Sequence, residues 1–244
     1  MLVSRFMQQR LGTSSAIRQA FEKAEALKKA HGADNIFDFS IGNPSAPCPA
    51  GVRAALEETA RKTAPELHGY MDSSGYADVR STIAASLARR FDTPYKASDI
   101  VMTTGAASAI NALMQTVLDP EDEVVAFLPC YPAYRVFVEN WGARLVEVPF
   151  DEETMLPDLA AFERALTPRT KLVIVNTPNN PSGVVYPTAA ADGIAGALFR
   201  AQREFGHPIL LLSDEPYREL AYDGAQNPWW PTIYRNTAVV YSFS

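Results

Sequence analysis

The stretch that decides the fold is Lys171-Leu-Val-Ile-Val-Asn176, which runs directly into Thr177-Pro-Asn-Asn-Pro-Ser-Gly183. Four consecutive apolar residues between a lysine and a turn-rich loop are too few for a helix. They do not alternate with polar residues either. Such a run suits a strand covered on both faces. Comparable runs recur at residues 100–103, 123–128, 145–150, 209–213 and 238–244. Helical spacing appears among them: Val79, Ile83, Leu87 and Phe91; Ile110, Leu113, Met114 and Val117; Ile194, Leu198, Ala201 and Phe205. Strands and helices that alternate in this way predict an α/β fold, with a mainly parallel sheet sandwiched by helices.

Composition narrows the function. The 244 residues are 47% hydrophobic and 20% charged, which excludes a disordered tail, a coiled coil or a collagen-like repeat. The formal net charge of −6 argues against a general nucleic-acid partner. No apolar run approaches the roughly 20 residues of a membrane span. Cys48 and Cys130 read as two reduced thiols, so the expected location is the cytoplasm. The first 21 residues carry Arg5, Arg10 and Arg18 and no acid, a loose likeness to a transit peptide; an arm leading into an amphipathic helix over residues 15–29 is the preferred reading. The Pro-rich loop at residues 42–49 marks an expected boundary, with an N-terminal arm and the start of a small domain over 1–45 and a large domain over 46–244.

In open parallel sheets, ligands gather at the carboxyl ends of the strands. The unusual residues of this chain cluster after those runs. Gly105-Ala-Ala107 opens a helix, where small side chains and the helix dipole suit a phosphate, although most such glycines only serve a turn. Asp214 and Glu215 close a strongly apolar strand. A carboxylate there needs a partner, such as a protonated heterocyclic nitrogen, unless it merely caps a helix. Tyr217 follows three residues after Asp214. Asn180 offers amide donors from a turn held by Pro181 and Gly183, and Tyr131 could stack on a flat ligand. Plain turn and packing roles remain open for both. There is no G-x-G-x-x-G, Walker A or G-x-S-x-G motif. His31, His68 and His207 stand apart without metal spacing, so no metal is expected.

Taken together, Asn179-Asn-Pro-Ser-Gly183, Ser213-Asp-Glu-Pro-Tyr217 and Ser242-Phe-Ser244 resemble the class I/II aminotransferases, the fold-type-I pyridoxal-phosphate enzymes. The resemblance runs over essentially the whole chain. It implies pyridoxal 5′-phosphate as cofactor, with Asp214 pairing the pyridine nitrogen and Asn180 and Tyr217 donating to the phenolic oxygen. Tyr131 would stack on the ring. Gly105, Ala106 and Ala107, with Ser242 and Ser244, would hold the phosphate, and Ser108 could assist. Relatives often place a hydroxyl residue in the phosphate turn where this chain has alanines. Tyr70 would reach the phosphate of a neighbouring subunit, which implies a homodimer with shared active sites, and Gly42 would meet the substrate carboxylate.

The resemblance also places the Schiff-base lysine immediately after Ser244, beyond the sequence. Lys23, Lys28, Lys29, Lys62, Lys96 and Lys171 all lie in the wrong places to substitute. Two explanations compete, a cut at a cofactor-modified lysine and a genuine fragment, and the first is preferred. Either way the sheet would lack a strand, so apolar surface is expected to show around residues 238–243. The activity implied is amino-group transfer between an amino acid and a 2-oxo acid. The alternatives are a lyase, decarboxylase or synthase on the same scaffold, or a non-catalytic regulatory domain.

Overall fold

The computed structural model describes residues 2–4, 7–8, 16–40, 42 and 46–243. Ser244 lies outside the described residues, as do Arg5 and Arg10 of the arm and the neighbours Ile41, Asn43 and Pro44 of Gly42. The chain forms two compact units, Met1–Tyr70 and Met71–Ser244. This division falls after Tyr70, whereas the sequence reading put a boundary at residue 45.

The first unit holds helix α1 (Ala16–His31) and helix α2 (Ala50–Arg61). Lys28 of α1 reaches Asp38 at 2.7 Å and Glu25 at 2.9 Å. The apolar run before the Pro-rich loop is not a strand: Phe37 and Phe39 are exposed, with no ladder partner among the described residues.

The second unit is built from α3 (Ala77–Phe91), α4 (Ala106–Val117), β1 (Glu123–Phe127), α5 (Ala133–Glu139), β2 (Arg144–Val148), α6 (Leu159–Ala165), β3 (Thr170–Asn176), α7 (Thr188–Phe205), β4 (Leu210–Glu215), α8 (Trp230–Ile233) and β5 (Thr237–Tyr241). The five strands pair in the order β2-β1-β3-β4-β5, and every pairing is parallel. The α/β sandwich expected from the sequence is therefore present.

Successive side chains of a strand point to opposite faces, and both faces here are covered. Val125, Phe127, Val173, Val175 and Leu211 pack on one side, against Phe162, Ile194, Leu198 and Trp230 of the helices. Val124, Ala126, Leu172, Ile174 and Leu212 pack on the other, against Ile110, Met114, Tyr134 and Val138. That is why the strand sequences read as continuous apolar runs.

Two boundaries differ from expectation. Residues 100–103 belong to no strand of the sheet. Met102 N–H donates to Ser74 O at 2.9 Å, Val101 is exposed, and no strand of the sheet lies alongside as a ladder. β4 continues through Asp214 and Glu215, whose backbones pair with Asn176, Val240 and Tyr241, so both carboxylates belong to the strand itself. At the far edge, β5 is only half covered, and Phe243 is 76% exposed. The apolar surface expected around residues 238–243 is thus seen at Phe243, whereas Val240 is buried and Ala238, Val239 and Tyr241 are half-buried.

Phe162 is fully buried, with its ring centroid 5.0 Å from that of Phe127. Phe162→Ala leaves a cavity that these rigid neighbours cannot fill. We expect a loss of about 3–5 kcal/mol in urea unfolding, without loss of parallel-sheet signal in the folded baseline.

Candidate active site

The strand order reverses direction between β1 and β3, so the chain leaves these neighbouring strands toward opposite sides and opens a crevice at their carboxyl ends. Loops from β1, β3 and β4 and the first turn of α4 meet there. They enclose a cavity of about 200 Å³ lined by Ala106, Ala107, Tyr131, Asn180, Asp214 and Tyr217, with Ile110, Asn176 and Pro216 completing the wall.

At the α4 end, Gly105 has φ +93°, a backbone region that a side chain would strain, and its space is open. No side chain caps this helix. The first-turn amides behind Ala106 and Ala107 are therefore free of a protein cap, at the positive end of a twelve-residue helix dipole. The Ser108 hydroxyl lies 3.1 Å from that of Thr104, and within 3.3 Å of the Thr104 carbonyl oxygen.

Asp214 forms the floor. Its residue is 5% exposed, and Tyr134 O–H donates to Oδ2 at 2.5 Å. Oδ1 is buried without a hydrogen-bond partner among the described residues. Burial pushes the carboxyl up from 3.8 to about 6, against the opposing pull of the Tyr134 bond. Desolvation, with Asp214 next to it, also holds the Tyr134 phenol well above its usual range. An unpaired carboxylate oxygen in an apolar wall is costly unless a donor approaches it, so the cavity is shaped for a ligand bearing one.

The opposite wall carries two donors in register. Asn180 Nδ2–H₂ donates to the Tyr217 hydroxyl at 3.0 Å. Asn180 is held in place by its own backbone N–H, which donates to Asn176 Oδ1 at 2.7 Å, while Asn176 Nδ2 donates to Asp214 O at 2.7 Å. Asn176 thus ties the ends of β3 and β4 together. Tyr131 stands edge-on to Tyr134, with centroids 5.6 Å apart, and remains 37% exposed at the rim.

The structure brings together Ala106, Ala107, Tyr131, Asn180, Asp214 and Tyr217, with Gly105 at the helix entrance. Ser242 is half-buried just beyond β5 and does not line the cavity. Gly42 and Tyr70 belong to the first unit, where both are exposed. Two residues escaped the sequence reading. Asn176 had a visible signal, a polar residue closing an apolar strand. Tyr134 stands one helical turn after Tyr131, but its bond to Asp214 joins residues 80 apart and has no local trace. No group of metal-ligating side chains occurs among the described residues, nor is any described helix long and apolar enough to cross a membrane.

An uncapped helix start, a buried carboxylate with one oxygen unpartnered among the described residues, and paired amide and phenol groups thus face one crevice. A family model described as "Aminotransferase class I and II" matches residues 34–244. The chain belongs to the class I and II aminotransferase family. It is 33% identical over 203 residues to a probable aspartate/prephenate aminotransferase of Thermus aquaticus, covering 83% of this chain and 51% of that protein. It is 34% identical to the arginine–pyruvate transaminase AruH of Pseudomonas aeruginosa, covering 82% of this chain and 49% of that one. The crystal structure of an amino transferase from Eubacterium rectale superposes with a TM-score of 0.95 at 39% identity, over 100% of this chain and 62% of its own. The chain spans about half the length of the curated relatives it matches.

Because the folded protein holds Asp214 near 6 while an unfolded chain holds it near 3.8, the folded state binds the extra proton between those values. Stability of the ligand-free protein therefore falls as pH rises through that window and stays lower above it. Asp214→Asn keeps an acceptor for Tyr134 and removes the buried charge. It is expected to stabilise the ligand-free protein by up to about 2–3 kcal/mol at pH 7.5, with the gain vanishing below pH 4, as read by urea unfolding at both pH values.

Proposed function

We propose that this protein is a pyridoxal-5′-phosphate-dependent aminotransferase that moves an amino group between an amino acid and a 2-oxo acid. The observation that carries the reading is Asp214: a buried carboxylate with one oxygen unpaired, facing a cavity whose other wall presents two donors. That donor set fits the cofactor's chemistry. Pyridoxal phosphate, when bound, supplies an electron sink for charge released at the substrate α-carbon.

The protein's own residues supply the rest. Asp214, ionised, would hold a proton at the ring nitrogen, which keeps the sink strong. Asn180 Nδ2 and Tyr217 O–H would donate to the phenolic oxygen and stabilise its charge. The amides at Gly105, Ala106 and Ala107, backed by the α4 dipole, would bind the phosphate. Ser242 and Ser244 are proposed as further phosphate ligands. Tyr131 would cover one ring face. Gly42 is assigned to the substrate carboxylate. Tyr70, fully exposed in its unit, is assigned to a partner subunit's phosphate, so the working form is a homodimer with shared sites. The proposed compartment is the cytoplasm. The free thiols of Cys48 and Cys130 support it.

Two measurements test this. Addition of single amino acids to the cofactor-loaded protein should change its visible absorption, and 2-oxoglutarate or pyruvate should reverse the change. A protein that carries the lysine expected after Ser244, binds cofactor and yet never converts it would falsify the transaminase reading. Cofactor affinity should also fall as the pH drops through about 6, where Asp214 takes up its proton and can no longer pair with a cationic ring nitrogen. Tyr131→Ala should weaken binding by roughly 10-fold, which corresponds to the loss of one aromatic contact, with the pH dependence retained.

A further inference from the structure

Behind the cavity wall lies a buried ion pair that the functional reading leaves unused. Arg218 is 7% exposed and Glu215 is 1% exposed. Arg218 Nη1 donates to Glu215 Oε2, and Ser213 O–H donates to Glu215 Oε1 at 2.6 Å. Burial raises the Glu215 carboxyl, and Arg218 and Ser213 pull it back. The guanidinium lies 4.6 Å from the Phe91 ring centroid and 4.8 Å from that of Trp229.

Burying two charges costs desolvation that their attraction barely offsets, so a buried pair is poor evidence for a stability role. What this pair does in space is more specific. The guanidinium fork spans the base of the loop that leaves β4. One arm holds Glu215 at the start of the loop. Both arms hold its end, with Nη2 donating to Asn227 O at 2.9 Å and both nitrogens donating to Pro228 O at 3.3 Å. Asn227 then crosses to the neighbouring loop, where its Nδ2 donates to Thr177 O at 2.9 Å. Tyr217 sits directly before Arg218, and Asn180 sits three residues after Thr177. The 3.0 Å bond between Asn180 and Tyr217 closes the circuit.

We propose that Arg218, acting through Asn227, is a positioning residue that sets the Asn180 and Tyr217 donors toward the cofactor's phenolic oxygen. The inference rests on the cofactor assignment made above. Lysine cannot replace the fork, because a point charge can satisfy Glu215 without spanning two carbonyls. Asn227 offers a cleaner cut. Its Oδ1 is buried without a partner among the described residues, so Asn227→Leu removes the tie to Thr177 while exchanging one unpaired acceptor, Asn227 Oδ1, for another, Thr177 O.

The experiment compares wild type, Arg218→Lys, Arg218→Met and Asn227→Leu in three measurements. These are melting of the cofactor-free protein, the dissociation constant for pyridoxal 5′-phosphate, and the pH midpoint of the bound cofactor's absorption change. Asn227→Leu is expected to melt like wild type, bind roughly 5-fold more weakly, and titrate about 0.5–1 pH unit higher, since weakened donors favour the protonated phenol. Arg218→Lys should shift the midpoint in the same direction, and Arg218→Met at least as far. Variants that lose only melting temperature, with the midpoint unmoved, overturn the proposal and leave Arg218 a structural residue. If Arg218→Met does not fold, Asn227→Leu and Arg218→Lys decide. If wild type binds no cofactor, the assignment above fails and takes this inference with it. If wild type binds and the variants titrate alike, this inference fails alone.

Discussion

The rest of the site depends on one constraint: an ionisable carboxyl placed at the end of a buried strand. Asp214 is paired through its backbone to Asn176 on one side and Val240 on the other. It cannot swing out to water. One oxygen is satisfied by Tyr134 and the other is left bare in the cavity. Leaving that oxygen bare costs stability, and in the proposed reading a ligand with a cationic ring nitrogen would remove the cost, so that binding and proton control would come from the same carboxylate.

Everything around Asp214 serves to keep its geometry fixed. The parallel register sets the ends of β3 and β4 side by side, so Asn176 can bond to the Asp214 carbonyl and orient Asn180 in one step. The Asn179 side chain accepts from Ser182 N–H at 3.0 Å and Ser182 O–H at 2.8 Å, and Thr177 Oγ1 accepts from Tyr186 N–H at 2.8 Å. These bonds tie the loop to itself and to the strand it leaves. Rigid donors stabilise charge without reorganising, which is the physical basis of preorganised catalysis. Arg218 extends this bracing to the second loop from a buried position outside the cavity lining.

Different parts of the sequence were legible for different reasons. Helices α4 and α7 were visible because their apolar stripes bury one face against a sheet, and buried Ile110, Met114, Ile194 and Leu198 fall on those stripes. Strands β1, β3 and β4 were visible because both faces are covered. The segment at residues 100–103 carries the same local signature yet lacks a ladder, because strand formation requires a neighbour that local sequence cannot specify. In the site, Asn180, Asp214 and Tyr217 stood out because polar side chains after apolar strands are conspicuous. Tyr134 and Arg218 did not, because their partners lie across the sheet or across a loop.

The sequence by itself determined the strand and helix periods, the parallel α/β class, and the set of polar residues delivered to the carboxyl ends of the strands. These follow from local composition and from the alternation of side chains along a strand. Tertiary structure alone decided which residues meet. It placed Tyr134 on one oxygen of Asp214 and left the other bare, raised that carboxyl to about 6, and linked Arg218 through Asn227 to the Thr177 carbonyl. Desolvation and long-range hydrogen bonds depend on what is packed around a group, and no neighbouring residue in the chain encodes that.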